Sequence, residues 1–147
     1  MGYLVALLII LFVPVASAES SSVYCPDHVT CKGQDFSSCV PASGIALSPA
    51  GMSCISPSPQ GGCGGAGRYA FSQADWVQGV GSTCRYIGEP MSGHTTSLTY
   101  TTQAKYQSPA NLRLKKSWGM IMEGNWTCLS KASQARDCPW QAIQLPE

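Results

Sequence analysis

The chain is poor in charge: nine basic and eight acidic side chains among 147 residues leave a net charge of +1. No broad field exists to attract nucleic acid or an anionic membrane, and neither is expected as a partner. Histidine is scarce too, with only His28 and His94. There is no Cys-x-x-Cys pair and no Asp-x-Asp-x-Asp run. The usual sequence grounds for a zinc or calcium site are therefore missing. No serine stands in Gly-x-Ser-x-Gly, and the glycines from Gly61 to Gly67 are followed by no Lys-Ser/Thr. That removes a nucleophile elbow and a phosphate-cradling loop. No catalytic residue, metal or cofactor is assigned from these patterns.

Long apolar runs are also lacking, with one exception. Tyr3 to Val15 is apolar and is followed by Ala16-Ser17-Ala18. Small residues at Ala16 and Ala18 fit a signal-peptidase site, predicting cleavage before Glu19. The run is shorter than the roughly 20 residues a spanning helix needs. Residues 1–18 are thus expected to be a signal peptide without Lys or Arg in its n-region. The mature chain would be secreted or periplasmic, with no membrane segment once the signal is removed.

What the sequence does hold is cysteine. Cys25, Cys31, Cys39, Cys54, Cys63, Cys84, Cys128 and Cys138 all follow the signal. An even number in an exported chain predicts a disulfide framework. Eight cysteines allow about 105 pairings, so spacing alone leaves the connectivity open. Each bridge typically stabilises by about 2–4 kcal/mol, chiefly by restricting the unfolded chain.

Residues 19–147 form one expected domain in two parts. Residues 19–67 are a Cys-, Gly- and Pro-rich segment, with Ser56-Pro57-Ser58-Pro59-Gln60-Gly61-Gly62 as its densest stretch. Proline and glycine at this density oppose helix and central strand alike, predicting a long loop region stapled by crosslinks. Residues 68–147 are the β-rich core region. Phe71, Ala74 and Trp76 fit one helical turn over a core, with Ser72 and Asp75 at capping-box spacing, or a strand. Gly79 and Gly81 break it before a strand over 82–87. The clearest period follows, with Leu98, Tyr100, Thr102, Ala104 and Tyr106 alternating with Thr99, Thr101, Gln103 and Lys105. That is the period of a half-buried antiparallel strand. Leu112-Arg113-Leu114-Lys115 alternates again, and Glu123-Gly124-Asn125 marks a hairpin between 118–122 and 125–129. The predicted fold is all-β, an antiparallel β-sandwich or open barrel.

Tyr24-Cys25-Pro26, Phe71-x-x-Ala74-x-Trp76 leading into Cys84-Arg85-Tyr86, Trp118, Cys128, and Asp137-Cys138 with Trp140 carry a resemblance. In these features the chain resembles an uncharacterised family, a domain of unknown function, of small exported bacterial proteins. The resemblance implies a β-rich fold outside the cytoplasm and brings no activity. It implies a Cys128–Cys138 bridge; Cys84 is further expected to tie the central strand to Cys25.

Function is therefore expected to be binding rather than catalysis, with a host or envelope component as partner. A glycan-binding module is the alternative, using exposed aromatic rings. Trp126, Trp140 and Tyr100 are the candidate rings, since indole and phenol faces stack on sugars or partner surfaces, while Trp76 and Trp118 are expected in the core. Arg113 and Lys115, pointing outward together, are the candidate cations. A small hydrolase is the second alternative, resting on His94 or on two of Asp75, Glu89, Glu123 and Asp137. Asn125-Trp126-Thr127 is a glycosylation sequon that matters only in a eukaryotic secretory pathway. The expected intact mass is that of a chain beginning at Glu19, rising by about 8 Da on reduction if four bridges are present. A smaller rise would reveal free thiols.

Overall fold

A computed structural model of the chain describes residues 22–33, 35–42, 45–54, 65–88, 95–111, 117–131, 133–141 and 143. The signal region, His94, Arg113 and Lys115 lie outside them, as does Cys63; of Cys54 only the backbone is described. The strands in chain order are β1 (Ser22–Val23), β2 (His28–Cys31), β3 (Cys39–Pro41), β4 (Leu47–Cys54) and β5 (Gly67–Val77). β6 (Gly81–Gly88), β7 (Thr96–Thr102), β8 (Trp118–Met122), β9 (Asn125–Leu129) and β10 (Trp140–Gln141) follow. All pairings are antiparallel. Among the described residues there is no α-helix, and none is long and apolar enough to cross a membrane. The all-β, disulfide-stapled expectation holds.

β5 organises the main, eight-stranded sheet, whose path runs β3-β2-β5-β6-β7-β4. One edge of β5 pairs with β6 from Ala70 to Val77. Its other edge is divided: residues 67–70 meet β2 and residues 73–77 meet β9. Between the two lies a bulge, where the register with β6 slips between Phe71 and Gln73. A bulge inserts one residue and inverts the alternation beyond it. Tyr69 and Phe71 therefore face the core ahead of it, and Ala74 faces the core after it. The three-residue spacing of Phe71 and Ala74, which also suits a helical turn, is the signature of this bulge. The helical option is corrected to strand.

The Cys- and Pro-rich segment also contains more strand than its composition predicts. β2, β3 and β4 all lie within it. Pro41 closes β3 and Pro49 sits in β4, both at margins of the sheet where a missing N–H breaks no ladder. The densest Gly/Pro stretch, 55–64, lies outside the described residues.

Glycine sets both hairpins of the β5–β9 region. Gly79 (φ 77°) and Gly81 (φ 129°) turn β5 into β6, and Gly124 (φ 77°) turns β8 into β9. The two tips are joined, because the Gln78 N–H donates to the Gly124 carbonyl at 2.9 Å. Inward from these turns the core is aromatic. Phe71, Tyr86 and Tyr100 meet edge to face, each successive pair with centroids 6.0 Å apart. Such pairs add about 0.5–1.5 kcal/mol beyond the area they bury. Trp140, brought in by the β1–β10 pair, stacks on Tyr106 at 5.2 Å and lies 6.1 Å from Trp118.

Among the described residues three disulfides join these strands and segments. Cys25–Cys84 ties the N-terminal segment to the middle of β6, Cys31–Cys39 crosses β2 and β3, and Cys128–Cys138 holds β9 to the C-terminal segment. The first closes a loop with a separation of 59 residues and the second one of 8. Chain-entropy reasoning assigns about 4 kcal/mol to the longer and about 2.5 kcal/mol to the shorter. Removing Cys25–Cys84 with paired alanines should therefore lower Tm several degrees more than removing Cys31–Cys39, as calorimetry would measure. Equal losses would mean that packing, and not chain restriction, sets their worth.

Candidate functional site

The candidate rings separate sharply in three dimensions. Trp140 and Tyr100 are buried, at 0% and 1% exposure, and offer no stacking face. Their assignment as binding residues is corrected to core. Trp140 is carried inward by the pairing of Val23 with Trp140, and Tyr100 points inward from the alternation of β7. Trp126 is half-buried, as is Trp76. These two stand directly opposite each other on β9 and β5. Ser82 and Met120 extend the same row onto β6 and β8. Along this row Ser82 is buried and Met120 is exposed, with the two half-buried indoles between them.

Trp76 is held in place. Its Nε1–H donates to the backbone carbonyl of Tyr106 at 3.2 Å. β7 ends at Thr102, and the chain then bends through Gln103 and Ala104 before Tyr106 turns inward. That bend leaves an open cleft of about 470 Å³ between Trp76, the Gly79–Gly81 turn and Lys105. Gln103 and Lys105, which the period-two reading places on a strand, flank this cleft instead. Its signal in the sequence was Gly79 and Gly81, which also free backbone from side chains. A second open cleft, about 410 Å³, is lined by Tyr24, Asp27, Ile45 and Arg136. There one Asp27 oxygen already accepts the Ala135 N–H at 3.0 Å.

Asp75, Asp137 and His28 make structural contacts, while Glu89 lies outside the described residues. Asp75 Oδ1 accepts from Gln73 Nε2 at 2.6 Å and from Thr127 Oγ1 at 2.7 Å. Its Oδ2 accepts from Gln73 at 2.8 Å and lies 3.8 Å from the Arg85 guanidinium. The carboxylate thus links β5, β6 and β9 across the outer face. Asp137 accepts the Ser130 hydroxyl at 3.2 Å, within the short loop closed by Cys128–Cys138. His28 Nδ1 lies 3.1 Å from Arg68, and because guanidinium only donates, that nitrogen is the acceptor. Among the described residues no group of three His, Cys, Asp or Glu side chains gathers to hold a metal.

The other exposed feature was not singled out by the sequence. Met120, Ile121 and Met122 are 60%, 64% and 60% exposed in succession on β8. Three consecutive large apolar residues before Glu123 break alternation, and a bulge between Met120 and Met122 accompanies them.

The buried phenols have a measurable consequence. Burial pushes Tyr86, Tyr69, Tyr100 and Tyr106 above the ordinary value of 10.0; for Tyr86 the neighbouring Tyr100 and Asp27 add to it. The folded state keeps these protons where the unfolded chain releases them. Stability is thus intact below about pH 10 and falls as pH rises beyond it. Phenolate absorbance from these residues should appear together with unfolding, not before it. Tyr86→Phe also removes a buried hydroxyl that has no hydrogen-bond partner among the described residues. It should leave neutral-pH stability unchanged or higher, and make the alkaline loss shallower. Phenolate appearing in the folded state would contradict this account.

Comparison with models of protein families, with curated proteins and with solved structures finds no match. The candidate surfaces rest on the geometry alone.

Proposed function

We propose that this protein works outside the cytoplasm as a non-catalytic binding domain, and that its partner adds an extended strand to the open edge of β8. The observation that carries the reading is the run Met120-Ile121-Met122, exposed on a strand that pairs only with β9 among the described residues. A free strand edge presents a row of backbone donors and acceptors, and only another extended backbone can satisfy that row in register. The remaining margins of the main sheet are blunted. β3 is three residues long and ends in Pro41, while β4 contains Pro49 beside a register slip. No charged side chain lies within Trp118–Met122 to discourage pairing.

The compartment is supported by the three disulfides, which persist only where thiols are not kept reduced. The signal-like residues 1–18 and the resemblance to exported bacterial proteins agree with it. A host-surface or envelope protein is the partner class that such a location offers. Catalysis finds no support in the described acids, since Asp75 and Asp137 are engaged in holding strands and loops.

The test uses a photo-crosslinking residue in place of Met122 in the exported protein. A protein adduct is expected, and it should vanish when Met120→Lys is added while Tm stays within a few degrees. Adducts solely with a second copy would replace the partner by self-association. No adduct, or an adduct that survives Met120→Lys, would overturn the reading.

A further inference from the structure

The cleft beside Trp76 has a chemistry distinct from that of the β8 edge. Its wall is one half-buried indole whose N–H is already committed to the Tyr106 carbonyl. The ring is therefore fixed, and what it retains for a ligand is its apolar face. A fixed aromatic plane costs little conformational entropy on binding. The Gly79–Gly81 turn also lines the cleft, with bare backbone at its two glycines and the exposed Val80 side chain between them. Gly79 and Gly81 both have positive φ, and a Cβ built on either meets nothing within 4 Å. Around these two surfaces stand a hydroxyl, an amide and an ammonium group, from Thr102, Gln103 and Lys105.

Charge narrows the ligand further. Among the described residues no Asp or Glu lines the cleft, and the ion pair found there, Arg85 with Asp75, does not involve Lys105. Lys105 is exposed at the rim. Its charge is thus available to an anion. The Gln103 amide donates to Ser48 Oγ at 3.0 Å, which leaves its carbonyl oxygen to accept from a ligand hydroxyl. A flat apolar face, neutral hydrogen-bonding groups and one cation with no acidic partner among the described residues match a pyranose ring bearing a carboxylate. The axial C–H face of the ring would lie on Trp76, its hydroxyls against Gln103 and the turn, and its carboxylate toward Lys105. An aromatic or purely aliphatic ligand would leave the polar groups without use. A nucleic acid is opposed by the near-neutral chain.

We propose that the cleft between Trp76, the Gly79–Gly81 turn and Lys105 binds a carboxylated sugar unit of an extracellular glycan. The site is separate from the β8 edge and does not depend on it.

The test is a titration of the purified, oxidised protein with oligogalacturonate, followed by tryptophan fluorescence and calorimetry, with a neutral oligosaccharide of equal length beside it. An array of sialylated and uronic-acid glycans with their neutral counterparts extends the panel. The expected result is saturable binding of an acidic member of the panel, weakened at least tenfold by Trp76→Ala. Lys105→Ala should reduce acidic binding to the level of the matched neutral sugar. Trp76→Phe, which keeps a ring but loses the bond to Tyr106, should retain part of the affinity and guards against misfolding of the alanine variant. Met120→Lys should leave binding unchanged, so that this site and the β8 edge can fail independently. Absence of binding across the whole panel would overturn the proposal, as would binding unaffected by Trp76→Ala. Equal binding of neutral and acidic sugars, indifferent to Lys105→Ala, would overturn the assignment to carboxylated sugars. Binding to acidic peptides in place of the sugars would do the same.

Discussion

Everything in this fold hangs on how β5 divides one of its edges between two strands. Ser72 is the residue inserted at the bulge, and its carbonyl accepts the Ser130 N–H at 3.3 Å just beyond the end of β9. On the other side of the same point the Phe71 N–H donates to the Asp27 carbonyl, at the start of β2. The backbone of β5 is thus satisfied through the changeover, as a buried strand requires. The bulge also rotates the second half of β5 so that Ala74 and Trp76 continue the inner face. Without it, Gln73 and Asp75 would turn into the core and their polar network would be desolvated. The Trp76–Trp126 pair exists because of this rotation.

The disulfides act on the same centre. Cys84 lies on β6 opposite Ala74, which in turn lies opposite Cys128 on β9. Two of the three bridges therefore leave from one row across the sheet, one toward Cys25 and one toward Cys138. A sheet crossed by covalent ties along one row is constrained where β5 changes partners, and the aromatic core packs against that row. Hydrophobic burial supplies the bulk of the driving force, while the bridges narrow the set of unfolded conformations against which it competes.

Several parts of this arrangement were legible in the residues. The alternation from Leu98 to Thr102 gave β7 and its buried face, and Glu123-Gly124 gave the β8–β9 hairpin. Other parts were hidden for identifiable reasons. β2, β3 and β4 are short or contain proline, and become strands only because β5 and β7 offer edges to them. The bulge at Ser72 makes a strand imitate helical spacing. Whether an indole is buried depends on partners far away in sequence. Trp140 is covered through its pairing with the chain near Val23, whereas Trp76 is left half-buried, and nothing adjacent to either residue distinguishes them. The cleft was equally hidden, since Gln103 and Lys105 enter it only because β7 stops at Thr102.

The unequal protection of the sheet margins bears on crowding. Two molecules that meet along Trp118–Met122 would each spend the one unblunted border described in the main sheet. Neither would then present a comparable border to a third, since Pro41 and Pro49 stand at the far sides. Stacking by this route ends at a couple and has no next step toward a filament, so an apolar border can stay uncovered at high concentration without seeding fibres.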